Sequence, residues 1–302
     1  MISIISQSKC AEESNNLLMN KICQPRDDFE LKILQETSHT CRLYTILYLI
    51  LINISSLSVL LFPPSRRSNF PLPFKVWTPY NLSCKSLYFF TYIHQGFATT
   101  LAASVTSSIE SLALILILQI CTQYEILVHR LNFISRLTPR NEQDSLTHQC
   151  QLKIVKNCVQ HHIHILSMGD KLNELFSVVI FVQFFGSMIS LSAVIYQLSK
   201  LSLADPKSWG LLFLLSTSLT QIYIYCYYGE KITSKSLSIM DKIYEIKWLT
   251  IKSRTKRDLI LIMIRASRPF KFMGFKIIIM SIETFFQVVK SAYSAYNLLK
   301  GF

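Results

Sequence analysis

Glycine and charge are both scarce in this chain. Only 7 of 302 residues are glycine and 16% are charged, against about 25% charged in a soluble domain. So little glycine argues against a glycine-rich nucleotide-binding protein. No pair of acids, no nucleophile with its base and no phosphate loop stands out along the chain, so nothing points to an enzyme. No segment repeats another and none is of low complexity. The first 40 residues hold Glu12, Glu13, Asp27, Asp28, Glu30 and Glu36, not the short apolar core and cleavage site of a secretory signal.

What the chain does have is apolar length. Half of its residues are hydrophobic and 12% are aromatic. The net charge of +13 would suit nucleic acid if it formed one basic face. Here the basic residues lie between long apolar runs, which is the arrangement of a membrane protein whose loops carry the charge. We therefore expect lipid, and no nucleic acid, as the surroundings of most of the chain.

Five apolar stretches are long enough to cross a bilayer: about 43–62, 88–124, 172–198, 209–228 and 275–299. The second exceeds the bilayer thickness and is expected to tilt or protrude. Its middle is rich in small residues (Gly96, Ala98, Ala102, Ala103, Ser104, Ser107, Ser108), as where membrane helices approach closely. This gives an all-α polytopic bundle. Its parts are an N-terminal tail (1–41) with a short amphipathic helix around Phe29–Leu34, then transmembrane helices (42–229) with an outer loop at 63–87 and an inner loop at 129–170. A basic helical region (230–275) and a last helix (276–302) follow. Residues 129–171, 231–276 and 1–42 carry 6, 12 and 5 Lys/Arg, whereas Arg66, Arg67, Lys75, Lys85, Lys200, Lys207 and Lys300 fall on the opposite side. The richer side is expected in the cytosol, which puts the N-terminus inside and the C-terminus outside. On this topology only Cys84 of the eight cysteines is clearly outside, so no disulfide framework is expected.

The last third of the chain is the most informative. It runs through Tyr227-Tyr228-Gly229, then Tyr244 and Trp248 on one face of a basic helical segment. Arg265-Ala266-Ser267-Arg268-Pro269, Ser281-Ile282-Glu283-Thr284-Phe285 and Ser291-Ala292-Tyr293-Ser294 follow. Upstream stand Leu72-Pro73-Phe74 and Trp77-Thr78-Pro79-Tyr80. This series of motifs resembles the insect odorant receptors. It departs from them at Met273-Gly274-Phe275-Lys276, where the family has its glycine next to the lysine. The resemblance implies a seven-span fold of the same inverted topology, with the five spans here matching the third to the seventh and the first two absent. It implies a plasma-membrane subunit that binds a small volatile and opens a nonselective cation pore in a hetero-tetramer with a common co-receptor, without a cofactor. The basic region would join the subunits in the cytosol. A gustatory-type receptor shares the fold, but the terminal Ser-x-Tyr-Ser favours the odorant branch. A transporter, a non-conducting scaffold and a nonfunctional fragment are the other readings; no internal repeat supports a transporter.

Particular residues follow. Ser291, Ser294, Leu298 and Phe302 form one helical stripe, which the resemblance places on the pore wall, with Leu298 at a hydrophobic gate; the same stripe would serve as a packing face. Depth and face point to Tyr92, Gly96, Thr99, Thr100 and Ala103, with Leu57, Leu61, Phe213 and Thr217, as ligand contacts or as helix-packing contacts. Asn81-Leu82-Ser83 is a glycosylation sequon on the outer loop, whereas Asn53 lies inside a span. Cys158, His161, His162 and His164, near His148, match no closed zinc pattern and read as structural, so no metal is expected. Glu110, Glu283 and Lys290 are ionisable groups within spans. Glu283 and Lys290 share a face, as a polar pathway or as a Glu283 pairing with a basic group of the cytosolic helix beside a snorkelling Lys290.

Overall fold

The computed structural model describes residues 21–61, 72, 77, 85–137, 145–201, 206–275 and 277–301. Among these residues are six α-helices: α1 (Asp28–Leu61), α2 (Lys85–Arg136), α3 (Ser145–Ser199), α4 (Pro206–Tyr244), α5 (Ser253–Ala266) and α6 (Ile282–Gly301). A 3₁₀ turn, Trp248–Thr250, lies between α4 and α5, and a hairpin of β1 (Met273–Gly274) with β2 (Ile278–Ile279) precedes α6. Helices α1 to α4 are each long and apolar enough to cross a membrane. The 55 residues of α3 would extend for about 80 Å, roughly twice a whole bilayer, so only part of such a helix is solvated by lipid.

Several boundaries differ from the sequence expectation. The segment around Phe29–Leu34 is the first turns of α1 and not a separate helix. Asp28 and Glu30 in that first turn suit the positive end of the helix dipole. Residues 129–136 and 145–170, expected as an inner loop, are helical extensions of α2 and α3. Likewise α4 continues to Tyr244, where the 209–228 run predicts an end near 228. It stops there, and Trp248 starts the 3₁₀ turn, so the two aromatics do not share one helix face. The last helix begins at Ile282 rather than near 275, because the preceding residues pair as a hairpin.

Contacts divide the chain into two compact units. One comprises residues 1–41, 113–181 and 225–282, the other 42–112, 182–224 and 283–302. In the first unit the core is large: Tyr124, Ile126, Leu127, Leu131, Ile165, Ile232, Ile239, Ile243 and Phe272 are fully buried. The hairpin is held there by α3, through one side chain and one backbone carbonyl. Asn173 donates its amide to the Lys271 carbonyl (2.9 Å) and accepts the Met273 N–H (3.1 Å). The Phe275 N–H reaches the Ser177 carbonyl (3.1 Å).

The family-like motifs have structural reasons in this unit. A side chain at Gly229 would place its Cβ 2.4 Å from the Met280 carbonyl oxygen, so only glycine lets α4 meet that backbone. One turn on, Thr233 donates to the Phe270 carbonyl (3.1 Å), and Ser236 accepts the Phe270 N–H (3.1 Å). The Phe270 ring covers Gly169, where a Cβ would lie 2.6 Å from it. Ala266 is buried at the end of α5, and Arg265 folds back on the Arg268 carbonyl (3.1 Å) before Pro269 prevents the helix from continuing. At the hairpin turn, where the glycine stands one place early, Phe275 takes φ 49°, the left-handed region that a side chain disfavours.

Candidate functional site

The second unit holds most of the residues singled out for ligand and pore. On α2, Tyr92, Gly96, Thr99, Ala103, Ser107 and Glu110 fall on one face by helical spacing, with Thr100 at its edge. Gly96 is buried and lets the Leu60 side chain approach, with an added Cβ 3.3 Å from it. Tyr92 donates to the Leu60 carbonyl, so α1 and α2 meet along this face. Thr99 and Thr100 are half-buried and return their hydroxyls to the carbonyls of Gln95 and Gly96. Such back-bonding leaves a threonine's methyl group to face its neighbours. Ala103 is half-buried, Ser107 and Glu110 buried. Thr217 is half-buried with its hydroxyl on the Phe213 carbonyl. Leu57 and Phe213 are exposed. The side chain of Leu61 lies outside the described residues, as do Asn81 and Phe302.

Glu110 has partners that spacing did not reveal. The Tyr48 hydroxyl of α1 and the Gln221 amide of α4 each donate to one of its carboxyl oxygens. Glutamine and tyrosine are ordinary span residues in a linear reading, and Gln221 is 111 positions away.

Helix α6 shows two sides. Val288 and Ala292 are buried, flanked by the half-buried Thr284, Phe285, Ala295 and Tyr296. The exposed side splits further. One strip carries Glu283, Gln287, Lys290, Ser291, Ser294 and Leu298, and the other Phe286, Val289 and Tyr293. Leu298 is 68% exposed. The Glu283 carboxylate lies near the Gln287 amide at 3.5 Å, one turn along the same strip, and the ion pairs found among the described residues do not include it. The pairing with a basic helix is thus not what the structure displays.

In the first unit a second buried polar cluster centres on Arg130, which the sequence reading passed over. Its guanidinium grips Glu30 through two 2.8 Å hydrogen bonds and donates to the carbonyls of Ile22 (2.8 Å) and Gln24 (3.0 Å). It also faces His161 Nδ1 at 3.3 Å. A guanidinium has no acceptor, so Nδ1 accepts and Nε2–H donates to Gln123 Oε1 (2.9 Å). Both ring nitrogens are engaged by protein groups, which leaves neither for a metal. Burial would raise the Glu30 carboxyl, but the hydrogen bonds and charge of Arg130 and the Arg26 amide outweigh it and hold it below its usual value. Burial, and next the nearby Arg130 charge, push His161 down to about 3. The signal available in sequence was Glu30 in the acidic first turn of a helix, with His129 and Arg130 set into the apolar stretch from Ile126 to Leu131.

Long apolar helices with lipid-like exposed faces, continued by a well-packed helical unit, define a multi-pass all-α membrane protein. The chain belongs to the odorant receptor family: the family model described as 7tm Odorant receptor matches residues 1–293. It is 27% identical over 231 residues to odorant receptor 9a of Drosophila melanogaster, covering 76% of this chain and 56% of that one. It is 26% identical to odorant receptor 46a, isoform A, of the same species, covering 99% and 77%. With the putative odorant receptor 92a the match covers 44% of the relative, so the chain spans about half the length of some curated relatives. The fold matches that of the insect olfactory receptor OR5 from Machilis hrabei in complex with eugenol, with TM-score 0.81, 16% identity, and 99% and 76% of the two chains covered.

Proposed function

We propose that this chain is an odorant-specific receptor subunit that binds a small volatile ligand and gates a nonselective cation pore together with a co-receptor subunit in the plasma membrane. The observation that carries the reading is the exposed polar strip of α6. Ser291, Ser294 and Leu298 line one side of it, while the opposite, buried side of the helix holds the chain together. A single chain that leaves serines, a lysine and a glutamate uncovered beside an aromatic strip needs water on one side and lipid or a neighbour on the other. A pore supplies that water. Leu298 is then the apolar constriction, which keeps ions out because it excludes their hydration water. The face of α2 from Tyr92 to Ala103 is the wall that meets the ligand, and binding shifts the population toward the open pore by the difference in affinity for the two states. The distribution of Lys and Arg supports an inside N-terminus and an outside C-terminus. Asn81, on the outer loop, is then available for glycosylation.

The test is Leu298→Ser in the full chain, expressed with an insect odorant co-receptor. The expected outcome is a several-fold rise in ligand-free cation current per complex at the surface. Val289→Ser, on the other exposed strip, leaves it near the wild-type level. A normal surface level with unchanged basal current for Leu298→Ser would make Leu298 a packing residue and reject this pore face.

A further inference from the structure

The function proposed above makes no use of Glu110. A carboxyl group inside a membrane span is costly and is retained where it makes specific contacts. Each of its oxygens meets a donor from a different helix, Tyr48 on α1 and Gln221 on α4. Three helices are therefore tied at one point, and Glu110 is only 5% exposed. It closes the same face of α2 that carries Tyr92, Gly96, Thr99 and Ala103. Two residues beyond Gln221, Tyr223 stands edge-on to Phe285 of α6, with ring centroids 5.6 Å apart. Phe285 in turn lies on the inward side of the helix whose outward strip carries Ser291 and Leu298. The candidate ligand face and the candidate pore helix thus both touch α4, the first at Gln221 and the second two residues on, at Tyr223.

We infer that the Glu110–Gln221 hydrogen bond is the positioning link that couples α2 to the pore helix; this rests on the ligand-gated channel reading. The physical reason is the solvent. Apolar side chains slide past one another in lipid at little cost, because lipid tails replace each lost contact. A buried carboxyl–amide bond has no such substitute, so it is either made or broken, and breaking it strands both partners. A displacement of α2 is therefore transmitted to α4 rather than absorbed. The Tyr223–Phe285 contact then carries it to α6.

The experiment uses the full chain with an insect odorant co-receptor, without added ligand. Ser291→Cys provides a reporter on α6. The measurements are its rate of modification by a membrane-impermeant methanethiosulfonate, relative to the parent lacking this thiol, and the basal cation current per surface complex. Gln221→Asn, which shortens the side chain and leaves the Tyr48 contact, should change the labelling rate about threefold to thirtyfold, the range of measured coupling between linked positions. Glu110→Gln should do the same, and the double variant should do no more than the larger single one. Unchanged labelling at a normal surface level, or additive effects, overturns the link. If no current appears but the labelling shifts, the channel reading fails and the link stands. If current appears and labelling is unchanged, the reverse holds. Should Glu110→Gln not reach the surface, Gln221→Asn decides alone.

Discussion

The two units solve the same problem, holding long helices together, in different ways. Of the twelve largest fully buried side chains among the described residues, only Leu191 belongs to the unit made of residues 42–112, 182–224 and 283–302. That unit leaves Ile46, Ile50, Phe89, Phe97, Ile189 and Phe286 more than half exposed or nearly so. Its helices approach through small residues and a few polar contacts, such as Gly96 on Leu60 and Glu110 between Tyr48 and Gln221. The other unit buries large aliphatic side chains and fully satisfies a buried ion pair. The difference follows from solvent. Water drives apolar side chains inward, whereas lipid supplies no such force, so close fit and hydrogen bonds must hold the helices.

The sharpest way to break this comparison is at Arg130. Arg130→Leu strands the Glu30 carboxylate, 1% exposed, and should cost about 3–5 kcal/mol, as for other buried pairs that lose one partner. The measurement is the thermal midpoint of the detergent-solubilised chain, and adding Glu30→Leu should restore part of the loss. The same cluster sets a pH dependence. Glu30 is held below its ordinary value, so its stabilisation is present above about pH 4 and is lost as pH falls through the folded value. His161 is pushed from 6.5 to about 3, so between those values the unfolded chain binds a proton that the folded one does not, and stability falls as pH drops. His161→Gln should flatten the thermal midpoint between about pH 6 and 4, the range where histidine and carboxylates part. A midpoint that stays as steep in that variant would remove His161 from the account.

Glycine separates the units next. Gly229→Ala forces a Cβ to 2.4 Å from a carbonyl oxygen and should cost about 2–3 kcal/mol, in the range of overpacking. Gly186, in the other unit, has no atom within 4 Å of an added Cβ. There alanine should be neutral or raise stability by up to about 1 kcal/mol through helix propensity. Equal effects at the two positions would mean that the units are not packed differently at their glycines.

The smallest expected effect is at the hairpin turn. Phe275→Gly removes a side chain from a left-handed position, which favours the folded chain by about 1 kcal/mol. It also removes a ring that is half exposed and 5.4 Å from Phe181, so the net gain should be below that figure. A large loss of stability would show that the ring, and not the backbone, governs the turn.

Much of the candidate site was legible because it is periodic. The stripe at Ser291, Ser294 and Leu298 and the small-residue face of α2 follow from helical spacing, and the structure leaves the first exposed and the second largely covered. Leu57 and Phe213 were chosen by depth and face too, but on helices that are apolar all round, spacing does not single out the covered face; both are exposed. Trp248 was placed with Tyr244 by spacing, which holds only while a helix continues.

Composition and hydropathy by themselves determined that this is an all-α membrane chain with a basic region before its last helix. Those properties are set locally, by whether each stretch prefers lipid or water. The motif series gave the family for the same reason, since each motif is contiguous. Only the tertiary structure decided that Glu110 meets Tyr48 and Gln221, that Arg130 grips Glu30 and His161, and that Gly229 faces the Met280 backbone. Those partners lie between about 30 and 110 positions apart along the chain. Which buried polar group finds which donor depends on how the helices cross, and no local preference encodes that crossing.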